Sequence, residues 1–219
     1  MNFFGSKKNE FQYSPLPRDA DRFTLKMDQF YSFTSSFYDL FILLFFPYRH
    51  WITRVLPYVE GPKVLEVSFG SGYLMSKYAF RYEVDGIDFN KKMVMRAREK
   101  LKKKGLKANL LLGNAEELPF KDETFDTVIN TMAFTGYPDG YKVLSEMKRV
   151  LKNGGRLLII AADYPRDGNI FGMGFMKLME WAGDVVQPIR QYLLHLEIDY
   201  EVKPVGGFGG IYFFDCRKL

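Results

Sequence analysis

One stretch of the chain allows its architecture to be inferred, and it reads Val64-Leu65-Glu66-Val67-Ser68-Phe69-Gly70-Ser71-Gly72. An apolar run that ends in an acidic residue and a glycine-containing loop is typical of a buried strand leading into a helix. In parallel α/β sheets, ligands bind in the crevice at the carboxyl ends of the strands. Gly70 and Gly72 would let the backbone approach such a ligand where a Cβ would collide.

The loop does not fit the two common phosphate-binding patterns. A G-x-G-x-x-G dinucleotide site needs a third glycine for helix–strand packing, and here that position is Met75. The G-x-x-x-x-G-K-[ST] pattern does not occur in the chain. The ligand is therefore expected to be neither a dinucleotide nor a nucleoside triphosphate held by such a loop.

A second acidic residue follows the next apolar run. Asp88 ends the segment 84–88, 22 residues after Glu66. A carboxylate at this spacing is able to accept hydrogen bonds from both ribose hydroxyls of an adenosine. The alternative is that Asp88 caps the helix that begins near Lys91, a role for which Asn90 is also suited.

Apolar runs alternate with helical patterns after residue 62. Strands are predicted at 63–67, 84–87, 108–112, 127–130 and 156–161, and helices at about 73–80, 91–104 and 138–151. Two further strand-like runs, 200–203 and 211–216, are joined by a glycine-rich segment with no helix between them. We therefore predict an α/β fold with a doubly wound, Rossmann-like, mostly parallel seven-stranded sheet and an antiparallel last strand.

The N-terminal region differs from the rest. Residues 1–22 are polar and predicted to be a flexible arm, and 23–58 read as one or two aromatic-rich helices broken at Pro47 and near Pro57. We divide the chain into an arm and aromatic helical lid, 1–58, and a ligand-binding domain, 59–219. The most apolar stretch, 37–46, is too short to span a bilayer, which takes about 20 residues.

Composition narrows the class of protein. With 47% apolar and 26% charged residues, a chain of 219 residues is expected to be globular. The single cysteine, Cys216, cannot build a disulfide framework or a metal cluster, so a reducing, cytoplasmic setting and no metal are expected. Residues 1–10 lack the apolar core of a secretory signal.

The net charge of +5 permits contact with anionic surfaces. The basic segment 91–107 has apolar residues at helical spacing between its charges, which favours the solvated face of a helix over a nucleic-acid patch.

Four segments together resemble the class I S-adenosylmethionine-dependent methyltransferases. They are VLEVSFGSG (64–72), GIDFNKKMVMRAREK (86–100), GNAEELPFKDETFDTVI (113–129) and EMKRVLKNGGRLLII (146–160). The resemblance covers about residues 62–161. The stretch 30–51 also resembles the lead-in of quinone-biosynthesis methyltransferases, which small-molecule and phospholipid N-methyltransferases share.

This resemblance implies S-adenosylmethionine as the cofactor and assigns a role to each matching position. For the adenosine portion, Asp88 would hold the ribose, Phe89 would stack near the adenine, and Asn114 and Ala115 would contact the adenine edge. For the methionine portion, Glu66, Gly70 and Gly72 would line the site, and Tyr38 would close over the carboxylate. Asn130 and Thr131 would lie beneath the sulfonium.

The chain departs from the family pattern at two of the expected cofactor residues. Ser68 stands where the family usually has glycine, and we expect it to be tolerated if its φ is negative, although it would narrow the space beside the methionine. Asn114 stands where the family usually has aspartate, and it keeps an acceptor oxygen without the charge. Cofactor binding is therefore expected to be weakened at the adenine contact but retained.

The acceptor side is less determined, because methyl transfer needs no fixed triad and a base only when the acceptor must lose a proton. Candidates by position are Tyr38, His50, Tyr137, Asp163 and Tyr164. The aromatic stretch 30–51 and the Met- and Phe-rich segment 168–181 flank the expected mouth of the acceptor site, which suggests a small hydrophobic acceptor such as a quinone, lipid or aromatic metabolite, with peripheral membrane contact.

The alternatives to this function are a nucleic-acid methyltransferase, which lacks sequence support beyond the basic helix, and a cofactor-binding protein without turnover. The oligomeric state stays open.

Overall fold

The computed structural model describes residue 13 and residues 15–219, with backbone alone at positions 36, 38, 39 and 41–43. Seven strands of this part of the chain form one sheet, in the order β3-β2-β1-β4-β5-β7-β6. Their bounds are β1 (Lys63–Val67), β2 (Glu83–Asp88), β3 (Asn109–Leu112), β4 (Phe125–Thr131), β5 (Leu151–Ala162), β6 (Ile198–Gly206) and β7 (Ile211–Lys218).

The pairing confirms the predicted topology. Strands β1 to β5 pair in parallel, and β7 runs antiparallel to both β5 and β6. The strand order reverses beside β1, between β1 and β4, which is where ligands bind in folds of this kind.

Six α-helices accompany the sheet in the described residues. They are α1 (Ala20–Leu44), α2 (Phe46–Thr53), α3 (Lys91–Lys103), α4 (Gly140–Val150), α5 (Ile170–Ala182) and α6 (Ile189–His195). The sequence interpretation missed α6, a short helix of seven residues. Among the described residues, none of the helices combines the length and the hydrophobicity that a membrane span requires.

Both faces of the sheet are covered, because alternate residues of the central strands enter separate apolar clusters. Leu158 and Ile160 of β5 pack on one face, with buried residues of α3 such as Ala97. Leu157 of β5 packs on the other face, with α4 residues such as Met147. This arrangement confirms the doubly wound architecture and the amphipathic interpretation of α3.

The predicted helix at 73–80 is wrong. The structure has a short 3₁₀ turn there, Met75–Lys77. The Ser76 hydroxyl donates to the Tyr73 carbonyl oxygen at 2.8 Å, a local bond that competes with helix formation. Tyr78 is buried and turns inward to donate its hydroxyl to Glu66. These local and tertiary bonds hold the segment in a tighter turn than a regular helix.

At the N-terminus, the chain breaks between α1 and α2 at Phe45, two residues before the predicted position, and Pro47 lies in the first turn of α2. Proline suits that place because the first helical amides have no partner within the helix. Helix α1 begins at Ala20, so the last three residues of the predicted arm are helical. Tyr13 donates its hydroxyl to Asp163 at 2.8 Å, whereas residues 1–12 and 14 lie outside the description.

Candidate active site

The carboxyl ends of β1, β2 and β4 bring several predicted residues to one place. A space of about 50 Å³, which we call the central cavity, is lined by Ser68, Gly70, Asp88, Thr131 and Tyr137, among others. Parallel strands deliver their carboxyl ends to a common edge, so residues far apart in sequence meet there.

Two further spaces adjoin the central cavity. The β3-side cavity shares Phe89 with it and is also lined by Leu112, Gly113 and Asn114. The β1-side cavity shares Ser68, Gly70 and Thr131 with it and extends to Glu66. These shared lining residues place the three spaces side by side along the sheet edge, with a carboxylate, Asp88, lining the middle one.

Asp88 is held in place by backbone amides. Its two carboxylate oxygens accept hydrogen bonds from the amides of Gly70 at 2.8 Å and Asn90 at 2.9 Å. Burial raises the pKa of the Asp88 carboxyl to about 6, and these two hydrogen bonds oppose the shift. Asn90, rather than Asp88, caps α3, since its side chain accepts from the Met93 amide. The helix-cap alternative for Asp88 is therefore wrong.

Ser68 adopts a left-handed conformation, with φ of 56°. The condition of a negative φ, under which Ser68 was expected to be tolerated, is therefore not met, and a non-glycine residue in this region costs about 1–2 kcal/mol. The Ser68 hydroxyl lies 2.7 Å from the Tyr137 hydroxyl, which in turn accepts from the Asn130 amide nitrogen at 2.8 Å. This hydrogen-bonded chain links the β1 loop to the loop after β4 and offsets part of the strain.

The chain of hydrogen bonds leaves one buried polar atom unmatched. The Asn130 amide nitrogen also donates to the Val67 carbonyl oxygen at 3.0 Å, but its Oδ1 has no partner among the described residues. Asn130 is fully buried and does not line the three cavities. Burial raises the pKa of Tyr137 above its ordinary value, so its hydroxyl is protonated at neutral pH.

Glu66 lines the β1-side cavity and is almost completely buried. It accepts a hydrogen bond from the Tyr78 hydroxyl at 2.8 Å. Burial raises the pKa of Glu66 to about 8, the negative charge of Asp88 adds to the shift, and the Tyr78 hydrogen bond opposes it. At neutral pH the carboxyl is therefore mainly protonated.

Among the described residues, the remaining predicted cofactor residues, Gly72, Asn114 and Ala115, do not line the central cavity. Gly72 packs on α3, where a Cβ would approach that of Ala97 to 2.9 Å, so its lack of a side chain serves helix–loop packing. Asn114 lines the β3-side cavity, and its Oδ1 accepts from the Glu116 amide. Ala115 is buried in the apolar cluster on the α4 face. The Tyr38 side chain lies outside the described residues.

Three acceptor-side candidates stand apart from these cavities. His50 is exposed, lies 2.6 Å from an Arg54 nitrogen and stacks on Phe46. Asp163 is fully buried and accepts from Arg190 at 2.8 Å, in an ion pair that joins the segment just after β5 to α6. Tyr164 donates its hydroxyl to Glu180 of α5. Their bonds show structural roles, and their predicted roles toward an acceptor are not supported by position.

A larger, more apolar space opens beside the central cavity. This acceptor groove, as we name it, has a volume of about 390 Å³. It is lined by Phe30, Tyr31, Phe33, Thr34, Phe37, Tyr48, Met132, Thr135, Met179 and Asp184. Tyr31, Tyr48 and Met132 also line the central cavity, so the two spaces meet at these side chains.

The sequence interpretation missed Tyr31, Tyr48 and Met132. The signal available was the aromatic content of 30–51, but sequence alone did not show which rings face inward. Tyr31 contacts Phe89 edge-on, with ring centroids 6.2 Å apart. Tyr48 lines the central cavity, the β1-side cavity and the acceptor groove.

Helix α1 is fastened over the site by Asn90. The Asn90 side-chain amide donates to the Asp28 carbonyl and carboxylate oxygens, at 3.1 and 2.8 Å, and to the Ser32 hydroxyl at 2.8 Å. The residue that caps α3 thus also anchors α1, the helix that contributes Tyr31 to the central cavity.

Comparison with known proteins agrees with this geometry. Residues 65–159 match the protein family described as a methyltransferase domain. A ubiquinone/menaquinone biosynthesis C-methyltransferase of Idiomarina loihiensis is 31% identical over 176 residues, which cover 75% of this chain and 69% of that protein. The chain belongs to the class I S-adenosylmethionine-dependent methyltransferases. The cofactor of this family is S-adenosylmethionine.

Two further methyltransferases extend the comparison. A phosphatidylethanolamine N-methyltransferase of Cereibacter sphaeroides is 43% identical over 103 residues, which cover 46% of this chain and 51% of that protein. The chain thus spans about half the length of that relative. A solved S-adenosylmethionine-dependent methyltransferase of Thermotoga maritima superposes with a TM-score of 0.68 at 19% identity, covering 87% of this chain and 98% of that one, which supports the shared fold.

Proposed function

We propose that this protein transfers a methyl group from S-adenosylmethionine to a small hydrophobic acceptor bound in the acceptor groove. The observation that carries the proposal is that the groove and the central cavity meet at Tyr31, Tyr48 and Met132. An acceptor in the groove would then lie next to the cofactor, and apolar and aromatic walls suit a hydrophobic molecule.

The series of cavities suits the parts of the cofactor in order. The β3-side cavity, between Phe89 and Asn114, would take the adenine, and Asp88 would accept hydrogen bonds from the ribose hydroxyls. The β1-side cavity, with Glu66 and Ser68, would take the methionine portion. A carboxyl such as that of Glu66, mainly protonated when alone, would ionise more readily beside the cofactor's ammonium group.

Methyl transfer requires mainly that the acceptor and the methyl group of the cofactor be held in the correct orientation. S-adenosylmethionine, when bound, supplies a methyl group activated by its positively charged sulfur. Fixing two reactants in line is worth up to about 7–11 kcal/mol in favourable cases. The protonated Tyr137 hydroxyl, held by Asn130, fixes the loop that forms one wall of the central cavity.

The names of the relatives agree with a hydrophobic acceptor, since one is a quinone-pathway C-methyltransferase and another a phosphatidylethanolamine N-methyltransferase. To test the proposal, Met179→Trp should fill the groove, lower methyl transfer at least tenfold, and leave the affinity for S-adenosylhomocysteine unchanged in calorimetry. Met95→Trp, on the exposed surface of α3, is the matched control. Binding of S-adenosylhomocysteine without transfer to any hydrophobic acceptor would favour a cofactor-binding protein without turnover.

Peripheral membrane contact forms part of the proposal, because large apolar side chains stand exposed near the groove. Phe33 is 80% exposed, Phe37 68% and Trp181 86%. The fluorescence of Trp181 provides a signal for membrane contact, because the other tryptophan of the chain, Trp51, is buried. Anionic liposomes should shift the Trp181 emission to shorter wavelength and bind the protein.

The matched variants are Phe33→Ser with Phe37→Ser, which should weaken liposome binding several-fold, and Phe80→Ser, an exposed phenylalanine on a different part of the fold, which should not. Equal binding by all of these proteins would remove the membrane contact from the proposal and leave methyl transfer standing.

A further inference from the structure

The acceptor groove combines aromatic walls with a single carboxylate. Among the described side chains that line it, Asp184 is the only acidic one and none is basic. Phe30, Phe33 and Phe37 of α1 form one side, and Met179 of α5 lies on another. A hydrophobic acceptor entering here therefore meets negative charge and the faces or edges of rings.

Asp184 sits within electrostatic range of the junction with the cofactor site. Burial raises the pKa of Tyr31 most, and the charge of Asp184 and the charge of Asp88 on the cofactor side both add to that shift. Together with burial, these charges keep the Tyr31 hydroxyl protonated. Burial also raises the pKa of Asp184, while a hydrogen bond from Thr135 and the charge of Lys26 oppose that shift.

Lys26 does not neutralise the groove. Its side chain is exposed to water and does not line the groove, whereas Asp184 does and is only partly exposed. Water screens a charge at the surface more strongly than one in a partly buried space. A bound molecule therefore meets the field of the carboxylate more directly than that of the ammonium.

This environment discriminates between acceptor classes. A phenol or hydroquinone becomes an anion as it loses its proton, and a neighbouring carboxylate would raise the energy of that anion. An aliphatic amine is a cation in water at neutral pH, and both a carboxylate and the faces of aromatic rings attract cations.

We propose that the reacting group of the acceptor is an amine on an apolar body, held as an ammonium by Asp184 and the rings of Tyr31 and Tyr48. This inference rests on the proposed function and names its substrate class. The ammonium first gives one proton to the Asp184 carboxylate, which returns it to water at the open groove. The nitrogen lone pair then forms the new C–N bond with the methyl carbon, and the C–S bonding pair stays on sulfur as a neutral thioether.

Binding tests the inference without turnover. Octyltrimethylammonium has no proton to lose and cannot be methylated, and octyl sulfate has the same chain with an anionic head. By calorimetry, with and without S-adenosylhomocysteine, the cation should bind at least tenfold more tightly than the anion. Asp184→Asn should abolish this preference, and Asp199→Asn, on the exposed surface of β6, should keep it.

Transfer gives the second measurement, with octylamine and 4-octylphenol as paired acceptors. Methylation of the amine, lowered at least tenfold by Asp184→Asn, supports the inference. A preference for octyl sulfate, methylation of the phenol alone, or an Asp184→Asn variant that keeps the preference for the cation overturns it and leaves the proposed function intact. Absence of S-adenosylhomocysteine binding would instead refute the proposed function. Calorimetry with octyltrimethylammonium and octyl sulfate in the absence of S-adenosylhomocysteine would still decide whether the groove selects cations.

Discussion

Replacing Glu66 with glutamine should make the protein more stable at alkaline pH and leave it almost unchanged at acid pH. In the folded protein burial raises the pKa of Glu66 to about 8, against an ordinary value of 4.5. Between these two pH values the folded protein keeps a proton that the unfolded chain has lost. The free energy of unfolding therefore falls as pH rises through this window and levels off above about pH 8.

The size of the effect follows from the shift. Each pKa unit corresponds to about 1.4 kcal/mol, so the folded wild type should lose roughly 5 kcal/mol from this group by pH 8.5. Glutamine does not titrate, and its side-chain oxygen is able to accept the hydrogen bond from Tyr78. The variant should avoid most of that loss.

Urea denaturation without cofactor, at pH 5 and pH 8.5, measures the difference. At pH 8.5 Glu66→Gln should be the more stable protein by several kcal/mol, and at pH 5 the two should agree within about 1 kcal/mol, because the wild-type carboxyl is then mainly protonated. Glu117→Gln, at an exposed position, is the control and should show no such pH dependence. A difference between Glu66→Gln and wild type that does not change with pH would refute the assignment of Glu66 as a buried, protonated carboxyl.

Three further predictions concern the same edge of the sheet. Ser68→Ala keeps the left-handed backbone strain and loses the hydrogen bond to Tyr137, whereas Ser68→Gly loses both, so urea denaturation should find the alanine variant less stable than the glycine variant by about 1 kcal/mol. Equal stabilities of the two variants would contradict the strain. Asp88→Ala should weaken S-adenosylhomocysteine binding at least tenfold, about 1.4 kcal/mol, in calorimetry, while Asp85→Ala, three residues earlier on β2, should bind normally; unchanged affinity in the first variant would remove the ribose assignment. Asp28→Ala removes one acceptor of the Asn90 amide, so backbone amides of α1 near residues 28–32 should exchange hydrogen faster, and S-adenosylhomocysteine should associate faster in stopped-flow measurements. An unaltered association rate would show that α1 does not limit entry of the nucleoside.

Periodicity and spacing were sufficient for most of the sheet. Strand β1 has the predicted bounds, and β2, β4, β5, β6 and β7 each contain the predicted segment and extend beyond it. Buried parallel strands produce continuous apolar runs, and these are visible without tertiary information. The glycine-rich link at 204–210 likewise predicted the β6–β7 pairing, since no helix fits between the runs.

The site was predicted in outline for a related reason. Carboxyl ends of parallel strands share one edge, so Ser68, Gly70, Asp88 and Thr131 could be assigned to a common crevice before their distances were known. The apolar groove at the acceptor side was also expected from aromatic content, though not which of the aromatic residues would line it.

By itself, then, the sequence determined the fold and the family, and it predicted the edge of the sheet where we propose that the ligand binds, because these follow from local patterns and strand direction. Only the tertiary structure decided the left-handed Ser68, its link to Tyr137 and Asn130, and the meeting of Tyr31 and Tyr48 between two cavities. Those features depend on side chains from separate elements that pack together, and neither the direction of a side chain nor its partner is encoded in the spacing of one segment. The packing of α1 over the crevice therefore had to be observed.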